Sequence, residues 1–349
     1  MHTEIFVFAT ALIVCVSLTP ATRQLALRLG MVDLPGPRKV HLKPIPLLGG
    51  VAIYIGAVLA ILLFVDSNAR SQIIGIVAGA TLLTIVGILD DRKLLHHQVK
   101  LMIAMPMAAL ILVTSGIHTS IFVGFGHSLG FRILWLSADY LLTVLWIVGI
   151  TAAFSILDHM DGLCTGVAAV ASAFFLLFAF LNGQILVGIL AAAMLGTSLG
   201  FLGWNFNPAK IFMGDGGAMF LGFMMATLGL KLRFLELPQA TSWMIPVLIL
   251  GVPIFDTSLI SISRTRRGLI PFASPGKDHT AHRFANLGLG QKGAVLVLYV
   301  LGTFFGLLAM LVARLSVWQC YILSGIVVLV GLIAIALLER APYERQGKH

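Results

Sequence analysis

The sequence predicts an all-α polytopic membrane protein of about eleven transmembrane helices, with its N-terminus outside and its C-terminus in the cytoplasm. Composition, the spacing of apolar runs and the placement of basic residues carry that prediction. Hydrophobic residues make up 59% of the 349 and charged ones 11%, and mean hydropathy is +1.01. A soluble domain carries about 25% charged residues to cover its surface, so this chain needs hydrocarbon as its solvent.

Apolar runs that approach the ~20 residues of a bilayer-crossing helix fall at 4–22, 47–65, 71–89, 99–116, 138–157, 162–181, 184–203, 216–233, 243–263, 291–313 and 317–338. The first resembles a signal sequence only superficially. It has no basic start and no small-residue cleavage site, and it runs into Arg23 and Arg28, so it reads as a retained span. The stretch 117–136, with Gly, Phe, Val and Ser interleaved over Ile121–Gly130, is too broken for a helix; a short external hairpin or loop is expected there. No repeat or long linker divides the chain, which reads as a single domain, 1–349. Cys15, Cys164 and Cys320 lie far apart in apolar runs and offer neither a metal spacing nor a disulfide framework.

With the N-terminus outside, 18 of the 23 Lys and Arg fall in cytoplasmic segments, as the positive-inside rule requires. The formal net charge of +9 is then a topology signal, and no nucleic-acid partner is expected.

Asp33, Asp90, Asp91, Asp158, Asp161, Asp215, Asp256 and Asp278 all fall in cytoplasmic segments or near that end of a span. Asp90 and Asp91 end the third span, and Asp158 and Asp161 follow the fifth. Both spans run inward, so these carboxylates meet the negative end of a helix dipole, at a cost of about 0.3–1 kcal/mol each. A cation should compensate, either Lys100 or a divalent metal. Asp215, in Met213-Gly-Asp-Gly-Gly217, opens the eighth span, where it would serve as an N-cap or join an oxygen-rich Mg²⁺ site. The longest polar excursions, Arg23–Pro46 and Arg264–Lys292, are cytoplasmic and long enough to suggest function. The second holds His279, His282 and Arg283. Two histidines alone are a weak zinc signal, and imidazole with guanidinium suits phosphate oxygens better. Arg38-Lys-Val-His41 reads either as part of a site or as a basic membrane-surface patch.

On these residues the sequence resembles the polyprenyl-phosphate N-acetylhexosamine-1-phosphate transferases (glycosyltransferase family 4). The motifs run in family order from Gly30 to about Arg283: Arg38-Lys-Val-His-Leu-Lys-Pro-Ile-Pro-Leu-Leu-Gly-Gly50; Asp90-Asp91 with Lys100; Asp158-His-Met-Asp-Gly-Leu163; Asn205-Phe-Asn-Pro-Ala-Lys-Ile-Phe-Met-Gly-Asp215; Pro253-Ile-Phe-Asp-Thr257; and His279-Thr-Ala-His282. The resemblance implies transfer of a sugar 1-phosphate, foremost N-acetylglucosamine 1-phosphate, from a UDP-sugar to undecaprenyl phosphate. The reaction would release UMP, use Mg²⁺ (or Mn²⁺), and start a cell-envelope glycan at the cytoplasmic face of a bacterial cytoplasmic membrane.

By that resemblance Asp215 would ligate the metal, and Asp90 and Asp91 would position or activate the lipid phosphate, with Asp158 and Asp161 completing the catalytic acids. Lys100 would neutralise phosphate and Asn205 would contact the nucleotide. His279, His282 and Arg283 would hold the diphosphate or sugar, and Lys39 and His41 belong to the lipid-side loop. The chain departs from many relatives at Ser155, where Asn is usual, at His159 and Ala218, and in having two histidines in a motif that usually has three. Another UDP-N-acetylhexosamine or UDP-MurNAc-pentapeptide is the alternative donor. A transporter with an acidic cytoplasmic site is the reading from a different class, resting mainly on Asp256 within the ninth span. Homodimerisation is left open.

Overall fold

The computed structural model describes the chain apart from residues 1, 36–42, 67–68, 96, 123–128, 235, 271–275 and 344–349. Helices occupy all eleven predicted segments. Among the described residues, seven helical runs are long and apolar enough to cross a bilayer: His2–Arg28, Arg70–Asp91, Arg132–Leu157, Leu163–Leu181, Ile185–Asn205, Thr280–Val312 and Val317–Leu338. The chain is thus an all-α polytopic membrane protein. By contacts it falls into two compact units, Met1–Arg233 and Phe234–His349.

The first unit contains α1 (His2–Arg28), α2 (Gly49–Phe64), α3 (Arg70–Asp91), α4 (Lys100–Thr114), α5 (Leu129–Leu157), α6 (Leu163–Leu181), α7 (Ile185–Asn205) and α8 (Gly214–Lys231). At about 1.5 Å per residue, the 16 residues of α2 reach roughly 24 Å, short of a hydrocarbon core of about 30 Å. Two short strands, β1 (Val32–Asp33) and β2 (Ile45–Pro46), pair antiparallel with Val32 opposite Pro46, and so close the ends of the loop between them. Lys39 and His41, expected in that loop, lie outside the described residues.

α8 is the core of this unit. Every residue from Gly216 to Gly229 is buried, and α3, α5 and α2 pack on it. Glycine sets the closest approaches. A Cβ on Gly50 would strike the Gly217 backbone, and one on Gly87 would strike Gly216. These contacts press the ends of α2 and α3 onto the first turn of α8. Elsewhere, Gly188, Ala192, Gly196 and Gly200 recur every four residues along α7, a small-residue ridge of the kind that lets membrane helices pack closely. A Cβ on Gly196 would meet the Phe8 carbonyl of α1 at 2.5 Å.

The segment 117–136 corrects one expectation. α5 starts at Leu129, so the predicted hairpin or loop at 117–136 is shorter than its composition suggests, and the apolar run simply continues through Arg132. The described part, 117–122, contains no strand. Asp139, buried within α5, staples it: its carboxylate accepts from the N–H of Ile121 at 2.8 Å and of Phe122 at 3.1 Å.

The second unit contains α9 (Gln239–Ile249), α10 (Gly251–Arg266), α11 (Thr280–Phe284), α12 (Gly290–Val312) and α13 (Val317–Leu338). α9 and α10 are bent by 78° across Leu250. Pro253 sits in the first turn of α10, where its missing N–H is tolerated. Ser316 and Gln319 form a capping box that starts α13. Leu259, Ile335 and Leu338 form a buried cluster with Phe255, Ile262 and Phe284 packed on it.

Candidate active site

At one end of the first unit, four helix ends bring together acids that are far apart in sequence. The Lys100 ammonium, on the π-helical turn that opens α4, lies 2.7 Å from Asp90 Oδ2 and 2.7 Å from Asp215 Oδ2. π-turns of this kind often mark functional positions. Asp90 comes from the last turn of α3 and Asp215 from the first turn of α8. Both keep some exposure, 13% and 28% of their side chains, so the bridge faces an open space rather than a sealed core.

Asp91 does something different from its neighbour. Its Oδ1 accepts the Asp215 N–H at 3.0 Å, and a Cβ on Gly214 would run into its carboxylate. α8 therefore receives its N-terminal cap from α3. The alternative in which Asp215 itself caps the helix does not hold: Gly214 opens α8, and Asp215 is one residue inside it. Its carboxylate is left to meet Lys100 and the Ser155 hydroxyl, which donates to Asp215 Oδ1 at 3.2 Å. Ser155, one of the departures from relatives, thus touches the expected metal residue.

Asp158 follows α5 in the turn before α6. It retains some accessible surface but lies deep among protein atoms, and depth controls its solvation. Burial first, then the charges of Asp215, Asp91 and Asp161, push its carboxyl up to about 8. Burial and negative neighbours act in the same direction here, and a cation would relieve both. Asp161 is less available. Its Oδ2 accepts from Asn207 Nδ2 at 3.0 Å and Ala209 N at 2.9 Å, and so folds the loop leading to Asp215. Asn205, at the end of α7, is 2% exposed. Its Oδ1 accepts from Gly162 N and Thr165 Oγ1, and its Nδ2 donates to Ile211 O. The expected nucleotide contact finds both ends of this amide already engaged by the protein.

The expected diphosphate residues lie in the second unit. His279 Nδ1 is 3.0 Å from Asp256 Oδ2, and the Thr280 N–H donates to Asp256 Oδ1 at 2.8 Å. Asp256, the best argument for a transporter, is therefore engaged by this turn rather than lining an open path. Arg283 is fully buried. It donates to the carbonyls of Asp278 and Leu338 and to Ser263 Oγ, and it pairs with Glu339 at 2.7 Å. As placed, its guanidinium is committed to protein partners. His282 stands edge-on to His279, with ring centroids 6.2 Å apart.

A family model described as glycosyl transferase family 4 matches residues 73–233, the stretch that supplies every acid around Lys100. Across almost the whole chain, a probable undecaprenyl-phosphate N-acetylglucosaminyl 1-phosphate transferase of Bacillus subtilis is 36% identical, covering 94% of this chain and 90% of the relative. The chain belongs to glycosyl transferase family 4. A decaprenyl-phosphate N-acetylglucosaminephosphotransferase of Mycolicibacterium smegmatis is 31% identical over 95% of the chain and 88% of its own length. An undecaprenyl-phosphate alpha-N-acetylglucosaminyl 1-phosphate transferase of Yersinia pestis is 26% identical over 98% and 92%. As a family 4 member the chain is a transferase.

The donor set at Lys100 suits a hard divalent cation: the groups are carboxylate and hydroxyl oxygens, and their charge exceeds what the lysine cancels. Sequence reasoning found the acids because they are rare in so apolar a chain. It missed Asp139, although a lone acid inside an apolar span is itself a signal, and it missed Gly87, whose role exists only once α3 meets α8.

Proposed function

We propose that this chain transfers N-acetylglucosamine 1-phosphate from UDP-N-acetylglucosamine to undecaprenyl phosphate, releasing UMP. In this reading all of 1–349 acts as one transferase domain. It spans a bacterial cytoplasmic membrane eleven times, N-terminus outside, with the acids facing the cytoplasm. The observation that carries the reading is the Lys100 ammonium bridging Asp90 and Asp215, with Asp158 close by, its carboxyl raised by burial and then by the charges of Asp215, Asp91 and Asp161. The relatives, named as N-acetylglucosaminyl 1-phosphate transferases acting on a polyprenyl phosphate, support the lipid acceptor and the sugar.

The acceptor is a phosphate already ionised near neutral pH. One of its oxygens attacks the sugar-bearing phosphorus of the donor, an O–P bond forms, and the bond to the nucleoside phosphate breaks with its electron pair leaving on UMP. No strong base is required, so catalysis rests on in-line placement and charge neutralisation. Asp215 and Asp158 would hold Mg²⁺, for which Mn²⁺ can substitute, and when bound it offsets the charge of the diphosphate. Lys100 holds the attacking phosphate against Asp90. Asp91 fixes the first turn of α8, and with it the direction of Asp215. Asp161 and Asn205 shape the turns that carry Asp158 and Asp215. His279 and His282 contact the donor diphosphate, and Arg283 holds their turn in place.

The test is UMP release by the detergent-purified full chain, given undecaprenyl phosphate, Mg²⁺ and a panel of UDP-sugars. Turnover is expected, fastest with UDP-N-acetylglucosamine. No turnover with any donor, in protein that still binds Mg²⁺, would overturn the reading.

A further inference from the structure

Asp256 has no role above except as an anchor of the histidine turn, and the geometry of its contact with His279 carries more than anchoring. Asp256 is 1% exposed and His279 5%, so the contact is sheltered from water and its hydrogen-bond directions are enforced. Oδ1 of Asp256 is occupied by the Thr280 N–H at 2.8 Å, which leaves Oδ2 facing His279 Nδ1 at 3.0 Å. An ionised carboxylate only accepts hydrogen bonds, so Nδ1 must carry a proton. A second proton on the ring can then only sit on Nε2.

We infer that Asp256 is a positioning residue that fixes His279 with Nδ1 protonated, so that Nε2 is the nitrogen offered to a phosphate oxygen of the donor. This rests on the role given to His279 under the proposed function. The benefit is charge without reorganisation. With Nδ1–H held by a carboxylate, the ring can keep both protons and present Nε2–H to the negative charge that grows on the departing nucleoside phosphate. Donors held in place before the reaction are worth most where water is excluded. The carboxylate's two oxygens divide the labour, one fixing the backbone at Thr280 and the other the ring, so neither the turn nor the imidazole can rotate independently.

Asp256→Asn separates this from simple packing, because it preserves shape while reversing polarity. The Thr280 N–H retains the amide oxygen as its acceptor, so the new NH₂ group faces Nδ1 and can only donate. The ring must then accept at Nδ1 and confine its single proton to Nε2, losing the doubly protonated state. In ¹⁵N-histidine-labelled full-length protein under turnover conditions, His279 of the wild type should show both nitrogens protonated, and Asp256→Asn should keep the proton on Nε2 alone. UMP release should fall about a hundredfold in kcat, with KM for UDP-N-acetylglucosamine changed less than about threefold, and Asp256→Glu should recover part of the loss. An unchanged ¹⁵N pattern in a variant with wild-type thermal stability overturns the inference, as does wild-type kcat after Nδ1 has lost its proton. Full turnover by His279→Gln would instead overturn the role of His279 in the proposed function, while leaving the Asp256-dependent ¹⁵N pattern intact.

Discussion

In the first unit Asp90 and Asp215 meet Lys100, and Asp158 feels the charges of Asp215, Asp91 and Asp161. In the second, a single carboxylate, Asp278, is gripped by two arginines. Arg264 meets it through Nε at 3.0 Å and Nη2 at 2.8 Å, and Arg267 adds a third contact. The electrostatic outcomes are opposite. Burial and neighbouring carboxylates raise Asp158 to about 8. Asp278, despite its burial, is held well below the usual carboxylate range by Arg264, then Arg267 and His279. A satisfied network is a scaffold: Arg283 and Tyr343, with the guanidinium 4.1 Å from the ring centroid, tie the end of α13 to the histidine turn. The acid cluster carries more negative charge than Lys100 cancels, which is what a cation site offers.

The comparison can be broken most sharply at Asp215. Asp215→Asn should lower UMP release by about a thousandfold, or about 4 kcal/mol in barrier, while leaving thermal stability unchanged or higher, since it removes one of several repelling charges. Loss of stability instead would make the acid cluster a scaffold too. Asp278→Asn should do the reverse. It strands two arginines, one of them 5% exposed, and should cost about 3–5 kcal/mol of stability, seen as a lower melting temperature in detergent. Lys100→Arg keeps the charge but not the compact ammonium that reaches both Asp90 and Asp215, and should cost tenfold to a hundredfold in turnover. Ser155→Asn should have the smallest effect, a change of a few-fold in the Mg²⁺ dependence of turnover.

The pH responses of the two units should also part. Asp158 has its proton held more tightly in the folded chain than in the unfolded one. The stability this gives is full at acid pH and is lost as pH climbs from the ordinary carboxylate range through about 8. Melting without divalent cation should therefore become easier across that window, and Mg²⁺ should stabilise most at its upper end. The stability from Asp278 is present above the ordinary carboxylate range and disappears only as pH falls below it. Thermal melts from about pH 2 to 9, with and without Mg²⁺, read both effects.

Much of this was legible in the sequence because the bilayer enforces helix length, and because each acid in so apolar a chain stands out. What was not legible depends on tertiary approach. Asp90 and Asp91 are adjacent and chemically identical, yet one meets Lys100 and the other caps α8. The difference comes from Gly87 and Gly216 letting two backbones touch. Asn205 and Arg283 sit in family motifs but point into the protein, which motif order cannot reveal. The start of α5 was missed because Arg132 and the glycines before it look like a loop until Asp139 is seen fastening the real one.

Proton release on Mg²⁺ binding tests the central claim, that the first unit's acid cluster is a cation site held part-protonated by its own crowding. Calorimetry at pH 7.5 in buffers of different ionisation enthalpy should show about one proton released per Mg²⁺ bound, and no release in Asp158→Asn. Binding without proton release, or the same release from Asp158→Asn, would contradict it.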